Sequence, residues 1–254
     1  MSPTVAFARK EASEFVRSWR GWVLFGALAL FAVTGPITAR YMAQILGAAL
    51  GSSAANALPI PEATYVDAYQ QWTKNLGDAV SMLLIIATAG VVAGECRSGT
   101  AVLMLTKPLS RRAFVLTKLA VSWALLAAGV LTGTALTWGV ARLFFPGAPP
   151  GPLLRAVAAW LLLAAFLLTV VVAASAALSS TGAAAGVGFA TYLLLAAASA
   201  WEPLRDATPA GLARLPAQLA AGQAHEAGGS LATTLLLVAV LAWGAVLAFQ
   251  RREL

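Results

Sequence analysis

Few residues in this chain could do covalent or metal chemistry. One cysteine, Cys96, and one histidine, His225, occur in 254 residues. The charge pattern described below puts them on opposite sides of a membrane, so no His/Cys metal cluster is expected. HExxH is absent, and no serine or cysteine has a base placed to activate it. No Gly-Lys dipeptide occurs, which excludes a GxxxxGK[ST] phosphate loop and ATP hydrolysis by this chain alone. His225 beside Glu226 reads as a solvated pair. What stands out instead is "GECRSGTAVLMLTKPLSRR", residues 94–112, charged at both ends and apolar in the middle. It turns at Gly99, takes Thr100 as an N-cap, and continues as a short helix through Ala101, Val102, Leu103, Met104 and Leu105. Lys107-Pro108 ends that helix, because the residue before proline is pushed out of the helical region. The helix is too short to cross a bilayer and too apolar to face water unprotected. It either docks in a groove on a soluble partner or lies on lipid.

The elements that position this stretch follow from composition. Hydrophobic residues make up 60% of the chain and charged residues 11%, against about a quarter charged in soluble domains. Uncharged runs cover Gly21–Ala39, Leu119–Ala141, Ala156–Trp201 and Ala227–Gln250. About 20 helical residues span the hydrocarbon core, so the third run is two helices, broken at "SSTG", residues 179–182. The shorter run Ala79–Gly94 crosses as well if it borrows Asn75–Asp78. The expectation is a single all-α membrane domain, residues 1–254, with six transmembrane helices over 21–40, 76–94, 115–142, 153–178, 182–201 and 229–250.

Lys and Arg placement orients them. With the N-terminus cytoplasmic, 11 of the 17 basic residues lie inside, and both termini and the 95–113 loop are cytoplasmic. The net charge of +7 then belongs to membrane edges and anionic lipid heads rather than to nucleic acid. Cys96 is expected as a reduced thiol. No cleavable leader is expected, since the first 20 residues carry charges of both signs and the following apolar run is long.

Residues 4–20 form an interfacial amphipathic helix. Val5, Ala8, Ala12, Phe15, Val16 and Trp19 share an apolar stripe, and Arg9, Lys10, Glu11, Glu14, Arg17 and Arg20 occupy the remainder with Phe7. Pro36 kinks or ends the first crossing. Residues 47–75 and 202–228 are outer loops, and Tyr65, Tyr69 and Trp72 read as an aromatic anchor at the outer surface. The second outer loop is either a cap over a pathway or a plain connector. Gly129 with Gly133, and Gly182 with Gly186, permit close helix approach within one subunit or between two. The membrane interior lacks the mid-depth carboxylates that ion-driven carriers keep.

The pattern E-x(3)-G-T-x(2)-L-x-L-T-K-P-L-S-R-x(2)-F-x-L-x-K resembles the signature of type-2 ABC transporter permeases, exporter-type membrane subunits with six helices. Glu95, Gly99, Thr100, Leu103, Leu105, Thr106, Lys107, Pro108, Leu109, Ser110, Arg111, Phe114, Leu116 and Lys118 carry it. "FARKEASEFVRSWRGWVLF" is similar to that family's N-terminal elbow helix, and "LAFQRREL" to its tail. The resemblance implies a coupling helix in the 95–113 loop, bounded by Glu95, Arg97 and Thr100. Leu103 and Met104 would fill an ATPase groove, Pro108 would close the helix, and Lys107, Arg111 and Arg112 would fix its register by charge pairing. It further implies a second copy of the permease or a paralogue, and two copies of a cytoplasmic ABC ATPase subunit that holds ATP-Mg. This chain would bind no cofactor or metal and would not itself be an enzyme. The location implied is a bacterial-type cytoplasmic (inner) membrane. The apolar interior suits a lipophilic or amphiphilic cargo such as an antibiotic, peptide or lipid. ATP-driven mechanotransmission without transport, and a secondary carrier or membrane scaffold, are the alternative readings.

Overall fold

The computed structural model describes residues 2–50, 62–106, 109–223 and 227–252. Lys107, Pro108, His225, Glu226 and the loop prolines Pro59 and Pro61 lie outside the described residues. Everything described is helix or short connection, and six helices are long and apolar enough to cross a membrane. The chain is a multi-pass membrane protein.

Helix α1 (Pro3–Arg17) begins with Pro3 in its first turn, and Ser2 accepts a hydrogen bond from the amide of Val5. Helix α2 (Trp19–Leu50) follows after Ser18. Pro36 sits inside α2 and does not end it. It is buried, and the Thr38 hydroxyl donates to the carbonyls of Thr34 and Gly35 at 2.9 Å. The first span therefore runs well past the expected boundary at residue 40.

The second span is also longer than expected. Helix α3 (Tyr65–Asn75), at the end of the stretch expected as the 47–75 outer loop, continues through a π-turn at Leu76–Val80 into α4 (Ser81–Thr88). After a break at residues 89–92 come α5 (Ala93–Ser98) and α6 (Thr100–Leu105). The aromatic anchor expectation is corrected here. Tyr69 and Trp72 are fully buried in the bundle. The Tyr69 hydroxyl donates to the Pro149 carbonyl at 2.9 Å, and Trp72 Nε1 donates to Thr134 Oγ1 at 3.2 Å. A Cβ placed on Gly133 would lie 2.8 Å from the Trp72 ring, and one on Gly129 would lie 2.6 Å from Phe25. That glycine pair seats aromatics of the same chain.

Helices α7 (Arg111–Phe144), α8 (Pro150–Ala177), α9 (Thr181–Ala198) and α12 (Gly228–Gln250) complete the spans. The turn between α8 and α9, residues 178–180, falls where the 46-residue apolar run was divided. Helix α8 is central, enclosed by α7, α9 and α12. The 202–228 region folds as α10 (Glu202–Ala207), a 3-10 turn (Pro209–Ala213) and α11 (Leu215–Ala220). It buries Leu212 and Leu215 with Ala159 and Leu163 of α8.

Candidate functional site

The loop between the second and third spans is held at its base and open at its tip. Gly99 takes φ +76°, the left-handed conformation a glycine adopts at low cost, and this turns α5 into α6. Gly99, not Thr100, occupies the N-cap position. The Thr100 hydroxyl instead donates to the Glu95 carbonyl at 3.3 Å and lies 2.8 Å from Ser98 Oγ. Ala101 is fully buried and Met104 packs on the chain's own core. Val102 and Leu103 point away from it, 44% and 67% exposed. The loop returns through buried Leu109, and Ser110 caps α7 by accepting from the amide of Ala113 at 3.1 Å.

Behind this tip lies a node of five charges. The Lys118 side chain, 1% exposed, donates to Glu11 Oε2 at 2.6 Å and pairs with Glu95 Oε1 at 2.9 Å. Lys10 reaches Glu11, Glu14 and Glu95 at 3.1, 2.9 and 3.3 Å. Glu95 and Lys118, the first and last residues of the sequence pattern, are thus joined directly, and α1 is tied to both. Burial alone would pull the Lys10 pKa down. The hydrogen bond with Glu14 and the charges of Glu11 and Glu95 more than offset that, so Lys10 titrates above the usual lysine range. Carboxylate oxygens of Glu11, Glu14 and Glu95 lie within 4.8 Å of one another, and Lys10 and Lys118 offset two of the three negative charges. Glu95 Oε2 is buried with no partner among the described residues.

Aromatic packing sets the same elements in place. The Phe114 ring stacks on Phe7 at 5.3 Å and on Phe249 at 5.1 Å, which joins α1, α7 and α12. Lys118 lies over Phe7 and Phe114 at 5.6 and 5.1 Å, a cation–π arrangement. Phe7, which the sequence places off the apolar stripe, is the buried anchor of α1. Val5, Val16 and Trp19 are exposed, at 53%, 46% and 65%. Phe7, Lys10 and Glu11 turn toward the bundle, while Val5 and Val16 of the apolar stripe turn outward.

Three arginines at the loop contact other spans. Arg97 donates to Thr181 Oγ1 at the start of α9, at 3.0 Å. Arg111 donates to the carbonyls of Phe249, Gln250 and Arg252 at 3.4, 3.0 and 2.7 Å, at the end of α12. Arg112 lies over the Trp243 ring at 4.9 Å. The structure thus gathers Glu95, Arg97, Thr100, Leu103, Met104, Arg111 and Arg112 around one loop. Sequence reasoning missed Glu11 and Phe7. A lysine at position 118, inside an apolar span, was the available signal, because a charge there demands a partner.

The loop, its charged base and the six spans can be set beside known families. A family model described as ABC-2 family transporter protein matches residues 5–254. Among curated proteins, none matches the chain. The match covers nearly the whole sequence, and the chain belongs to the ABC-2 transporter family as a membrane subunit of an ABC transporter.

Proposed function

We propose that this ABC-2 family chain is the permease of an ATP-driven exporter, and that α6 is the surface through which the ATPase acts on it. Two copies, or one copy and a paralogue, pair to form the translocation path, and each takes one cytoplasmic ATPase subunit. The loop, α1 and both termini then face the cytoplasm, in keeping with the basic residues at that edge. ATP and its magnesium would be held by the ATPase subunit.

The observation that carries this reading is the exposure of Val102 and Leu103 on a helix whose other side is fixed to the bundle. A hydrophobic pair on a rigid mount fits an apolar groove on a partner. Lys107, Arg111 and Arg112 would set the register against acidic groups of that partner, and the contacts of Arg111 and Arg112 with α12 fix where their charge stands. A push on α6 would reach α1 and α7 through Glu95, Lys118 and Glu11. The apolar lining of the bundle suits a lipophilic or amphiphilic cargo.

Purification of the tagged chain from its host in mild detergent tests this, with companions identified by mass spectrometry and ATP hydrolysis assayed. The expected result is a stoichiometric partner carrying a GxxxxGK[ST] motif, with hydrolysis stimulated by cargo. A clean chain without an ATPase, under conditions that preserve other ABC complexes, would contradict it.

A further inference from the structure

The second span is interrupted just before the loop, and a side chain from another span fills the interruption. In an unbroken helix the amides of Val92 and Ala93 would bond the carbonyls of Thr88 and Ala89. Here both donate to Ser175 Oγ of α8, at 3.2 and 2.9 Å. Ser175 Oγ in turn donates to the Ala89 carbonyl at 2.7 Å. Helical bonding resumes beyond, with the Gly94 amide on the Gly90 carbonyl and the Cys96 amide on the Val92 carbonyl, at 3.0 and 3.1 Å. A hydroxyl has one proton and two acceptor sites, so Ser175 is fully used. It is also fully buried. Insertion of a side chain into the helical ladder is an established cause of a bend.

Ser175 is itself held from the far end of the chain. The carbonyls of Ser175, Ala176 and Leu178, at the end of α8, accept from Arg252 Nη1 at 3.4, 3.2 and 3.1 Å. The Arg252 carbonyl is one of the three that Arg111 engages. A continuous path therefore runs from the loop exit at Arg111, through residue 252 and the end of α8, to the loop entry at residues 89–93.

We propose that residues 89–92 form a joint on which the loop-bearing segment turns against the rest of the second span, with Ser175 as its pin and Arg252 as the lock on that pin. The joint has two satisfied arrangements. In one, shown by the structure, Ser175 is inserted. In the other, the Val92 and Ala93 amides return to the Thr88 and Ala89 carbonyls, the helix becomes continuous and Ser175 is released. Few hydrogen bonds are lost between them, which makes the pair a two-state element that a push on α6 could bias. Ser175 and Arg252 are positioning residues. What drives the joint rests on the transporter reading above; its existence does not.

Cys96, the chain's single cysteine, is half-buried and lies one turn past the joint, so its labelling by a maleimide reports how firmly the segment is held. The experiment uses the purified full chain in detergent, with Ser175→Ala, Arg252→Gln, and Ser180→Ala as a control that removes a nearby cap without touching the joint. Thermal unfolding of each variant checks the fold. Labelling is expected to rise at least about fivefold in Ser175→Ala and in the same direction in Arg252→Gln, and to stay at the wild-type rate in Ser180→Ala. Wild-type rates in both Ser175→Ala and Arg252→Gln would overturn the joint. Should Ser175→Ala fail to fold, Arg252→Gln, at the surface end of the path, decides alone. A second arm repeats the labelling in the complex with the ATPase, with and without a non-hydrolysable nucleotide. A nucleotide-dependent rate in wild type that disappears in Ser175→Ala is expected. Absence of any nucleotide effect in wild type would count against the transporter reading and leave the joint standing on the first arm.

Discussion

At the loop end of the bundle, Lys10 and Lys118 meet Glu11, Glu14 and Glu95, and Arg111 and Arg252 cap helix ends. At the other end, Tyr69 and Trp72 are packed between spans and hold Pro149 and Thr134 through neutral hydrogen bonds. The first arrangement has partners that can be exchanged, since a lysine shared by several carboxylates can shift among them at small net cost. The second depends on shape: Trp72 fits because Gly133 leaves room for its ring. The comparison teaches where movement is admissible. A packed aromatic end moves as one body, while an end fastened by shared charges and carbonyl caps can change its internal arrangement.

The largest expected effect breaks the charged end. Lys118→Met leaves Glu11, Glu14 and Glu95 to share Lys10, two of them largely buried, and should cost about 3–5 kcal/mol, read as a fall in the melting temperature in detergent. Adding Glu11→Gln and Glu95→Gln to Lys118→Met should restore most of that loss, because the penalty is the uncompensated charge and not a missing contact. A Lys118→Met loss no larger than that of an exposed lysine would contradict the node. A smaller effect sharpens the packed end. Gly133→Ala would bring a methyl against the Trp72 ring and should cost about 1–3 kcal/mol. Combining it with Trp72→Phe should relieve part of the clash, as a double-mutant cycle would show.

The spans were legible because long uncharged runs have one physical reading in a protein this apolar, and the "SSTG" break followed from length alone. The loop helix was legible from Gly99 at its start and the apolar residues between charged brackets. Its mounting was not. A helical wheel sorted α1 by hydropathy and placed Glu11 with the solvated charges, whereas Lys118, distant in sequence, makes Glu11 an inward residue. Met104 looked equivalent to Leu103 by type, yet the turn at Gly99 directs Met104 to the core and Leu103 outward. Tyr69 and Trp72 carry amphipathic rings that suit a membrane surface or a core with a polar partner. Only the neighbouring glycine at 133 and Thr134 decide between the two. Ser175 had no signal in the sequence, because the amides it serves belong to another helix.

The central claim is that Val102 and Leu103 form the docking surface for the ATPase, and the most direct measurement replaces both. In Val102→Glu with Leu103→Glu, both changes lie on the exposed side of α6, so the melting temperature should stay at the wild-type value. Two carboxylates entering an apolar groove should abolish recovery of the ATPase with the tagged chain in mild detergent. Loss of the ATPase from an intact, folded chain is the predicted result. Recovery of the ATPase at the wild-type ratio by the double variant would contradict the account.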